Sequence, residues 1–441
     1  MKQILSDSPH KKPKTKKIPS VPLLMLNNLL INYYKKLDSA VKKKQKIVWA
    51  SLGVPKNILY ALDVIPVYPQ FHTAFQSAKG LAGKIIGTAE GDYEIPQDLC
   101  GDIKAMICTV IKGDSLSFKL PDPDMMVSTN CACFAQTKGF YFLHHQMKVP
   151  LFFYDYPRIL HDTINPYDLN YINKQLDEFV DVIEKRFKTR FDRERYNRST
   201  LNDYKIYTVW QEIMKLCRTR PSPVSALDLH FMMIPFFCMD SNSDNNLGIY
   251  TAMYNAMFEI CEKNKESKKT EKKEIRLLWD FLPINHKGRF FKKLFAMHNA
   301  CVVMSTHFPE LNEEKCSELR FQYPVTRKYV DNYVKGQSFD TMNLRMNYMS
   351  GFMNRSINSW KKLIRKMIKG FEIDGVVMHI DTSCRMISLP QYELAHYVRE
   401  ELKTPIMTFH SNAVDERYFS ESQIVTRVEA FMEQLGEQGN S

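Results

Sequence analysis

Three cysteines, Cys100, Cys133 and Cys384, stand where hydrophobic segments of the sequence end. They are far apart along the chain and share no Cys-x-x-Cys spacing. A sheet whose strand ends converge can still gather such residues at one place without a local motif. Thiolate sulfur is the usual protein ligand of iron–sulfur clusters. We therefore expect an iron–sulfur redox site that is assembled by the fold.

Other interpretations of the cysteines stay open at this point. A cysteine in a long chain is most often an inert, buried apolar side chain. Zinc also binds cysteine, but its sites usually contain paired ligand spacings, which are absent here. Cys131 competes with Cys133, because one residue separates them. Cys108 falls on the helix predicted after Cys100, and we expect it in the core.

Few other residues offer chemistry. His379 and His410 end predicted strands and could face a cleft, whereas the pair His144-His145 is predicted on a helix, at the surface or in the core. No glycine-rich loop that could cradle a phosphate is present, so we expect that the chain does not itself hydrolyse ATP. A nucleophile elbow is also missing, which argues against a serine or cysteine hydrolase.

Predicted strands alternate with predicted helices in the two parts of the chain that contain these cysteines. Such alternation is typical of a parallel, doubly wound sheet, whose ligand sites lie beyond the carboxyl ends of the strands. Cys133 and Cys384 fall at such ends, and Cys100 opens a helix, where a thiolate is favoured. The strands are predicted at 46–50, 64–69, 125–129, 149–155, 275–280, 300–304, 374–380 and 405–409. The predicted helices include 56–61, 101 to about 112, and 389–402.

The predicted fold class is α/β, with two Rossmann-like, doubly wound, parallel-sheet domains and a helical region between them. Residues 1–20 are expected to be a disordered basic tail. A first α/β domain with Cys100 and Cys133 is expected over 21–165, and a helical region with an exposed connector over 166–273. A second α/β domain with Cys384 is expected over 274–441.

Charge and composition narrow the possible partners. The formal net charge of +12 is concentrated in lysine-rich runs at 11–17 and 263–273. No aromatic and basic motif accompanies them, so we expect no nucleic-acid partner, although a non-enzymatic basic scaffold stays open as an alternative. No apolar stretch is long enough for a signal peptide or a membrane span. With ten scattered cysteines, the chain is expected in a reducing cytoplasm.

Five stretches, in this order, carry a family resemblance. They are Leu99-Cys100-Gly101 before a helix, 121–127 leading to Asn130, Cys133 and Lys138, 148–157, Asp374-Gly375-Val376 with Ser383-Cys384, and a closing run from Pro405 through Arg417 to Phe431. Each stretch is weak alone, but their order over about residues 45–435 is specific. Together they resemble the 2-hydroxyacyl-CoA dehydratase and benzoyl-CoA reductase family.

The resemblance implies the iron–sulfur subunit of an anaerobic radical dehydratase, with a 4Fe–4S cluster held by Cys100, Cys133 and Cys384. Such proteins pair two homologous subunits, and a separate ATP-hydrolysing iron–sulfur activator supplies one low-potential electron. The acyl-CoA thioester then becomes a ketyl radical anion, from which a β-proton and the hydroxyl can leave. One iron with an open position would hold the carbonyl or hydroxyl of the substrate.

The sequence also departs from the family pattern. Gln70 stands where dehydratase subunits often have a carboxylate, Arg385 stands where lysine commonly follows the third cysteine, and 410–412 lacks the usual acidic residue. The catalytic proton donor is therefore unassigned, and Ser51, Gln70, His379 and Arg385 are the substrate-side candidates. The alternatives within the family are an electron-relaying subunit, a benzoyl-CoA reductase subunit and a relative with a double-cubane cluster.

Overall fold

The structure is a computed structural model and describes residues 19–112, 120–157, 166–242, 244–266, 274–308 and 356–438. Nearly all of the predicted basic tail and most of the lysine-rich run after Lys263 lie outside these residues. Among the described helices, none is both long enough and apolar enough to cross a membrane.

The first sheet contains four parallel strands in the order β2-β1-β3-β4. The chain runs from β1 outward to β2 and later returns to place β3 on the other side of β1. The direction of winding therefore reverses between β1 and β3, where open α/β sheets bind ligands. The strands are β1 (Ile47–Ala50), β2 (Ile65–Val67), β3 (Met125–Thr129) and β4 (Leu151–Tyr154).

The second sheet has the same topology, with parallel strands in the order β6-β5-β7-β8. Its strands β5 and β7 correspond to β1 and β3 of the first sheet. Covered on both faces, the inner strands β1, β3 and β7 are buried at every position, as their continuous apolar runs predict. The strands are β5 (Ile275–Asp280), β6 (Ala300–Ser305), β7 (Gly375–Asp381) and β8 (Ile406–Ser411).

Helices connect the strands and cover both sheets. The α-helices of the described residues are α1 (Ser20–Lys42), α2 (Lys56–Ala61), α3 (Pro69–Ala78), α4 (Ala82–Asp92), α5 (Gly101–Lys112), α6 (Phe134–Met147), α7 (Pro166–Phe187), α8 (Arg193–Leu216), α9 (Ala226–Met232), α10 (Ile234–Cys238), α11 (Asp244–Glu266), α12 (Gly288–Met297), α13 (Ile357–Gly370), α14 (Arg385–His396) and α15 (Glu421–Gln438). A π-helical turn follows α14 at Tyr397–Glu401, and a short 3-10 helix spans Glu416–Tyr418.

The α/β class with parallel sheets is confirmed, and each of the eight predicted strands is present. The predicted start of one helix was wrong, since a helix predicted from Leu389 begins at Arg385 and contains Pro390. Pro390 has no backbone N–H group to donate within this helix. The helix nevertheless begins before the proline, with Cys384 as its N-cap.

Helices α7 to α11 lie between the two sheets in sequence but share hydrophobic cores with both. Phe179 and Ile183 of α7 pack in a core with Val127 of β3. Ile213 of α8 belongs to a different core, which contains Leu277 of β5. The helical residues therefore join the two sheets by burial of apolar surface.

Arg276 of β5 is a buried connection between the helices and the second sheet. Its side chain is fully buried, and its guanidinium donates to three backbone carbonyls: Phe371 at 2.6 Å, Cys217 at 2.8 Å and Thr219 at 3.0 Å. The Glu274 carboxylate lies 3.6 Å away and compensates the buried charge. The planar guanidinium thus donates hydrogen bonds to carbonyls at the end of α8 and after α13 at the same time, which connects these two segments.

Replacing Arg276 with methionine should destabilise the protein strongly. Three buried carbonyls would lose their donor, and each such loss costs about 1–3 kcal/mol. We expect the free energy of unfolding, measured with urea, to fall by about 3 kcal/mol or more. The matched control is Arg399→Leu at an exposed position of the π-helical turn, where we expect a change within about 0.5 kcal/mol. Equal effects of the two substitutions would contradict this role of Arg276.

Candidate cluster and substrate site

Each of the three predicted cysteines lies at the start of a helix. Cys133 follows β3 and caps α6, where its Sγ accepts a hydrogen bond from the backbone N–H of Gln136 at 3.3 Å. Cys384 follows β7 and occupies the same capping position before α14. Cys100 directly precedes α5. Since β3 and β7 are equivalent strands, Cys133 and Cys384 occupy equivalent places in the two sheets.

The three cysteines meet at one cavity. It has a volume of about 360 Å³, and Cys100, Cys133 and Cys384 all belong to its wall. Burial is the main cause of the raised pKa of Cys100, and the nearby Asp102, Cys384 and Cys133 raise it further. The fold therefore brings together three residues that are separated by up to 284 positions in the sequence.

The environment of these thiols fits a cationic metal cluster. Burial raises the pKa of Cys100 well above its usual value, and it also raises that of Cys133 and, to about 12, that of Cys384. Without a compensating cation, the three thiols stay protonated at neutral pH. Lys56 is the one lysine or arginine among the described residues of the wall, and its ammonium lies 3.0 Å from the Asp203 carboxylate. Bound iron would supply the missing positive charge.

The geometry argues against a single metal ion. Among the residues that the structure describes, no three His, Cys, Asp or Glu side chains lie close enough together to bind one ion. A cluster spreads its iron atoms and takes its thiolates at several corners. The three thiols line one cavity from separate loops, but they are not gathered as closely as the ligands of one tetrahedral zinc ion.

Asp381, the last residue of β7, holds the loop of Cys384 in place. Its Oδ1 accepts from the backbone N–H groups of Ser383 at 2.8 Å and Cys384 at 3.1 Å. The Ser383 hydroxyl also donates to Oδ1 at 2.8 Å, and Oδ2 accepts from the N–H of Ala413 at 2.7 Å. One buried carboxylate thus organises the ends of β7 and β8 beside the cavity.

Ser383 links this loop to the loop of Cys100. Its Oγ accepts from the backbone N–H of Gly101 at 3.3 Å and from the Asn412 amide at 2.9 Å. A Cβ at Gly101 would lie 2.9 Å from the Asn412 Oδ1, so a larger residue would push the two loops apart. Close packing and hydrogen bonds together bring Cys100 and Cys384 to the same cavity.

Gln70 is the substrate-side candidate that the structure places at the cavity wall. Its Oε1 accepts from the backbone N–H of Leu52 at 3.2 Å, and its amide donates to the Asp102 carboxylate at 3.2 Å. Thr73 also donates to Asp102, and burial raises the pKa of Asp102 to about 6. Sequence reasoning missed Asp102, because an acidic residue in the first turn of a helix is common for reasons of helix stability.

The other three candidates are not among the wall residues. Ser51 is buried, and its Oγ accepts from the backbone N–H of Thr129 at 3.2 Å. His379 is buried inside β7, with Nδ1 3.2 Å from the Leu282 carbonyl oxygen. Arg385 is exposed at the first position of α14. The structure thus does not bring these three residues to the cavity.

Cys131 and Cys108 differ from the three cavity cysteines. Cys131 is fully buried and packs tightly against Gly53. A Cβ added at Gly53 would lie only 3.0 Å from the Cβ of Cys131. Cys108 is buried in a small core that also contains Ile86. Neither is part of the cavity wall, which favours Cys133 over Cys131 as a ligand.

A buried ion pair borders the same cavity and was not predicted. The Lys56 ammonium donates to the Ser241 hydroxyl at 2.7 Å and pairs with Asp203, which also accepts from the Asn57 amide at 2.8 Å. Lys56 and Asp203 are 147 residues apart in the sequence, so no local pattern could have indicated their contact.

Comparison with known proteins identifies the family. A family model described as 2-hydroxyglutaryl-CoA dehydratase, D-component, matches residues 51–435. The chain belongs to this family. The resemblance seen in the sequence is thus confirmed, and the D-component family model covers all three cavity cysteines and every described strand except β1.

Relatives of this D-component family member are named as enzyme subunits. The (R)-phenyllactyl-CoA dehydratase alpha subunit of Clostridium sporogenes is 23% identical over 89% of this chain and 90% of its own length. The (R)-2-hydroxyisocaproyl-CoA dehydratase alpha subunit of Clostridioides difficile is 21% identical over 94% and 96%. A benzoyl-CoA reductase subunit of Thauera aromatica is 22% identical over 92% and 93%. These names confirm the predicted kind of enzyme subunit, a dehydratase or a benzoyl-CoA reductase.

Replacing Asp381 with alanine should loosen the Cys384 loop. Three backbone N–H groups would lose their acceptor, at a cost on the order of 3 kcal/mol in the free energy of unfolding. We also expect faster alkylation of Cys384 in the cluster-free protein, because the loop that buries its thiol would open. Asp381→Asn should have a smaller effect, since it keeps one acceptor oxygen. The control Asp177→Ala removes an exposed carboxylate, and an equal loss of stability there would contradict the assignment.

Proposed function

We propose that this chain is the iron–sulfur subunit of an anaerobic 2-hydroxyacyl-CoA dehydratase, with a 4Fe–4S cluster held by Cys100, Cys133 and Cys384. The observation that carries the proposal is the meeting of three thiols from separate loops at one cavity. The family membership and the dehydratase names of the relatives support it.

Such a cluster, when bound, supplies one low-potential electron and an open iron position for an oxygen of the substrate. The chain's own residues provide the surroundings. Asp381 and Ser383 position the loops of Cys384 and Cys100, and Gly101 permits their close approach. The three cysteines are the proposed sulfur ligands, and each is partly buried at the cavity wall.

Gln70 and Asp102 are the polar groups that we propose next to the reacting part of the substrate. Both belong to the wall that contains Cys100 and Cys133. Hydrogen bonds from Thr73 and Gln70 orient the Asp102 carboxyl, so that its position is defined before a substrate enters. Dehydration must move a proton from carbon and release the hydroxyl as water, and an oriented carboxyl with an adjacent amide suits such a step.

The proposal includes two protein partners. The relatives carry names of enzyme subunits, which indicates an enzyme of several subunits. We propose a homologous second subunit and a separate ATP-hydrolysing iron–sulfur activator, since the sequence has no phosphate-binding glycine loop of its own. The acyl-CoA thioester is the proposed substrate, and the cytoplasm is the proposed location.

A benzoyl-CoA reductase subunit is the second candidate function. The relative of that name from Thauera aromatica matches 92% of this chain, which lies between the 89% and 94% of the two dehydratase subunits. The activated complex would distinguish the two activities directly. A dehydratase converts a 2-hydroxyacyl-CoA into the 2-enoyl-CoA without net reduction, whereas a reductase consumes electrons in proportion to the aromatic ring that it reduces.

Removal of single cysteines tests the cluster. Protein purified without oxygen should contain about four iron and four acid-labile sulfide ions per chain. Cys384→Ala should lose most of the visible absorbance and of the iron, because one corner of the cluster loses its ligand. The matched control Cys131→Ala removes a buried thiol outside the cavity wall and should keep both. Iron near zero in the native protein, or unchanged absorbance in Cys384→Ala, would refute the cluster assignment.

A further inference from the structure

Aromatic side chains form much of the cavity wall away from the cysteines. Helix α3 contributes two of them, α8 contributes one, and the segment from α9 to α10 contributes three. The aromatic wall residues are Phe71, Phe75, Tyr196, Phe231, Phe236 and Phe237. Aromatic rings in a cavity favour a ligand that is itself apolar, because contact removes apolar surface of both from water.

Two of these rings have no role in the protein core. Phe71, Phe236 and Phe237 pack into the hydrophobic cores, but Phe75 and Phe231 belong to none of the four cores of the described residues. Both are only partly buried. The folded chain thus keeps two aromatic rings at the cavity without using them for its own packing, which points to a ligand as the surface that they contact.

The charges at the cavity disfavour an anionic group. Three carboxylates, Asp102, Asp203 and Asp381, border the space, against one ammonium, which belongs to Lys56 and is already paired with Asp203. Lys79 lies over the Phe75 ring at 4.4 Å from its centroid, but it is exposed and not a wall residue. A ligand carboxylate inside this cavity would lose its water and find no free cation among the described wall residues.

The two histidines of the wall do not change this balance. Burial lowers the pKa of His307 to about 4, and burial together with His307 lowers that of His230 well below its usual value, against a weak opposing effect of the Ala226 and Leu227 backbone. Both imidazoles are therefore neutral at pH 7.

The size of the cavity also permits a bulky group. An apolar cavity of roughly 150 Å³ can hold benzene, and this one measures about 360 Å³. It has space for a ring or a branched chain in addition to the reacting atoms.

We propose that the acyl group of the substrate is uncharged, bulky and apolar, an arylalkyl or branched alkyl group, and that Phe75 and Phe231 are the residues that select it. We expect an acyl group with a second carboxylate to bind more weakly, because the described wall residues offer it no free cation. This inference rests on the proposed function, since it takes an acyl-CoA as the ligand of the cavity.

Binding of thioesters that cannot react tests the proposal. The probes lack the 2-hydroxyl group: 3-phenylpropanoyl-CoA, 4-methylpentanoyl-CoA, glutaryl-CoA and, as the measure of the CoA part alone, acetyl-CoA. Calorimetric titration of the anaerobically purified complex should give a Kd for 3-phenylpropanoyl-CoA at least about tenfold below that for glutaryl-CoA. A glutaryl-CoA affinity equal to or higher than that of the phenyl thioester would overturn the proposal.

Two alanine substitutions test whether the aromatic wall residues cause this preference for an apolar acyl group. Phe231→Ala and Phe75→Ala should each raise the Kd of 3-phenylpropanoyl-CoA about tenfold and leave that of acetyl-CoA unchanged. The control Phe142→Ala removes an exposed ring of α6 outside the cavity wall and should change neither Kd. Phe231→Arg should instead improve the binding of glutaryl-CoA. Unchanged selectivity in all three wall variants would overturn the assignment of Phe75 and Phe231.

The outcomes separate this inference from the proposed reaction. Apolar preference in binding without dehydratase turnover of the matching 2-hydroxyacyl-CoA would support the pocket and overturn the reaction. Turnover with a preference for 2-hydroxyglutaryl-CoA would support the reaction and overturn the pocket. Binding of no thioester at all, including acetyl-CoA, would overturn both.

Discussion

The buried carboxylate of Asp381 is the constraint on which the proposed site depends. It accepts hydrogen bonds from three backbone N–H groups and one hydroxyl at the ends of β7 and β8, and these bonds hold the loop of Cys384 in place. The Ser383 hydroxyl, which donates to the same carboxylate, accepts a hydrogen bond from the backbone N–H of Gly101 and so positions the loop of Cys100. Since the unpaired carboxylate would be costly to bury, the loops and the carboxylate stabilise one another. The meeting of the three thiols follows from this network and from the shared topology of the two sheets.

Glycine and proline residues at the ends of apolar runs made much of the fold predictable. Helices α2 and α5 and strands β3 and β5 have the predicted bounds, because Pro55, the glycine after Cys100 and the prolines before β3 interrupt the apolar runs sharply. The start of α14 was missed because Pro390 looks like a boundary, whereas the helix begins earlier, after the Asp381 loop.

Only part of the candidate site was predictable from the sequence, because its inner strands are buried on both faces. A strand buried on both faces shows no alternation of polar and apolar residues, so the sequence does not reveal which side chains of β7 point toward the cavity. His379 was therefore a reasonable candidate, yet its ring stacks on Phe409 inside the sheet. Asp102 and the pair of Lys56 with Asp203 depend on contacts between distant segments, which no local pattern encodes. The three cysteines were singled out because they stand at the ends of predicted elements, and the structure places all three at one cavity wall.

Each of the three cysteines also precedes a helix of at least twelve residues, α5, α6 and α14. The amino end of a helix carries a partial positive charge from its unpaired N–H groups. Three such ends face one cavity in which the side chains supply no free cation among the described wall residues. The backbone thus places a partial positive charge beside each cysteine, and its effect falls off within the first turn of each helix, so it does not extend to the aromatic wall. At the proposed cluster, these dipoles would favour the thiolate form of the three ligands, and they would do so without moving or changing protonation.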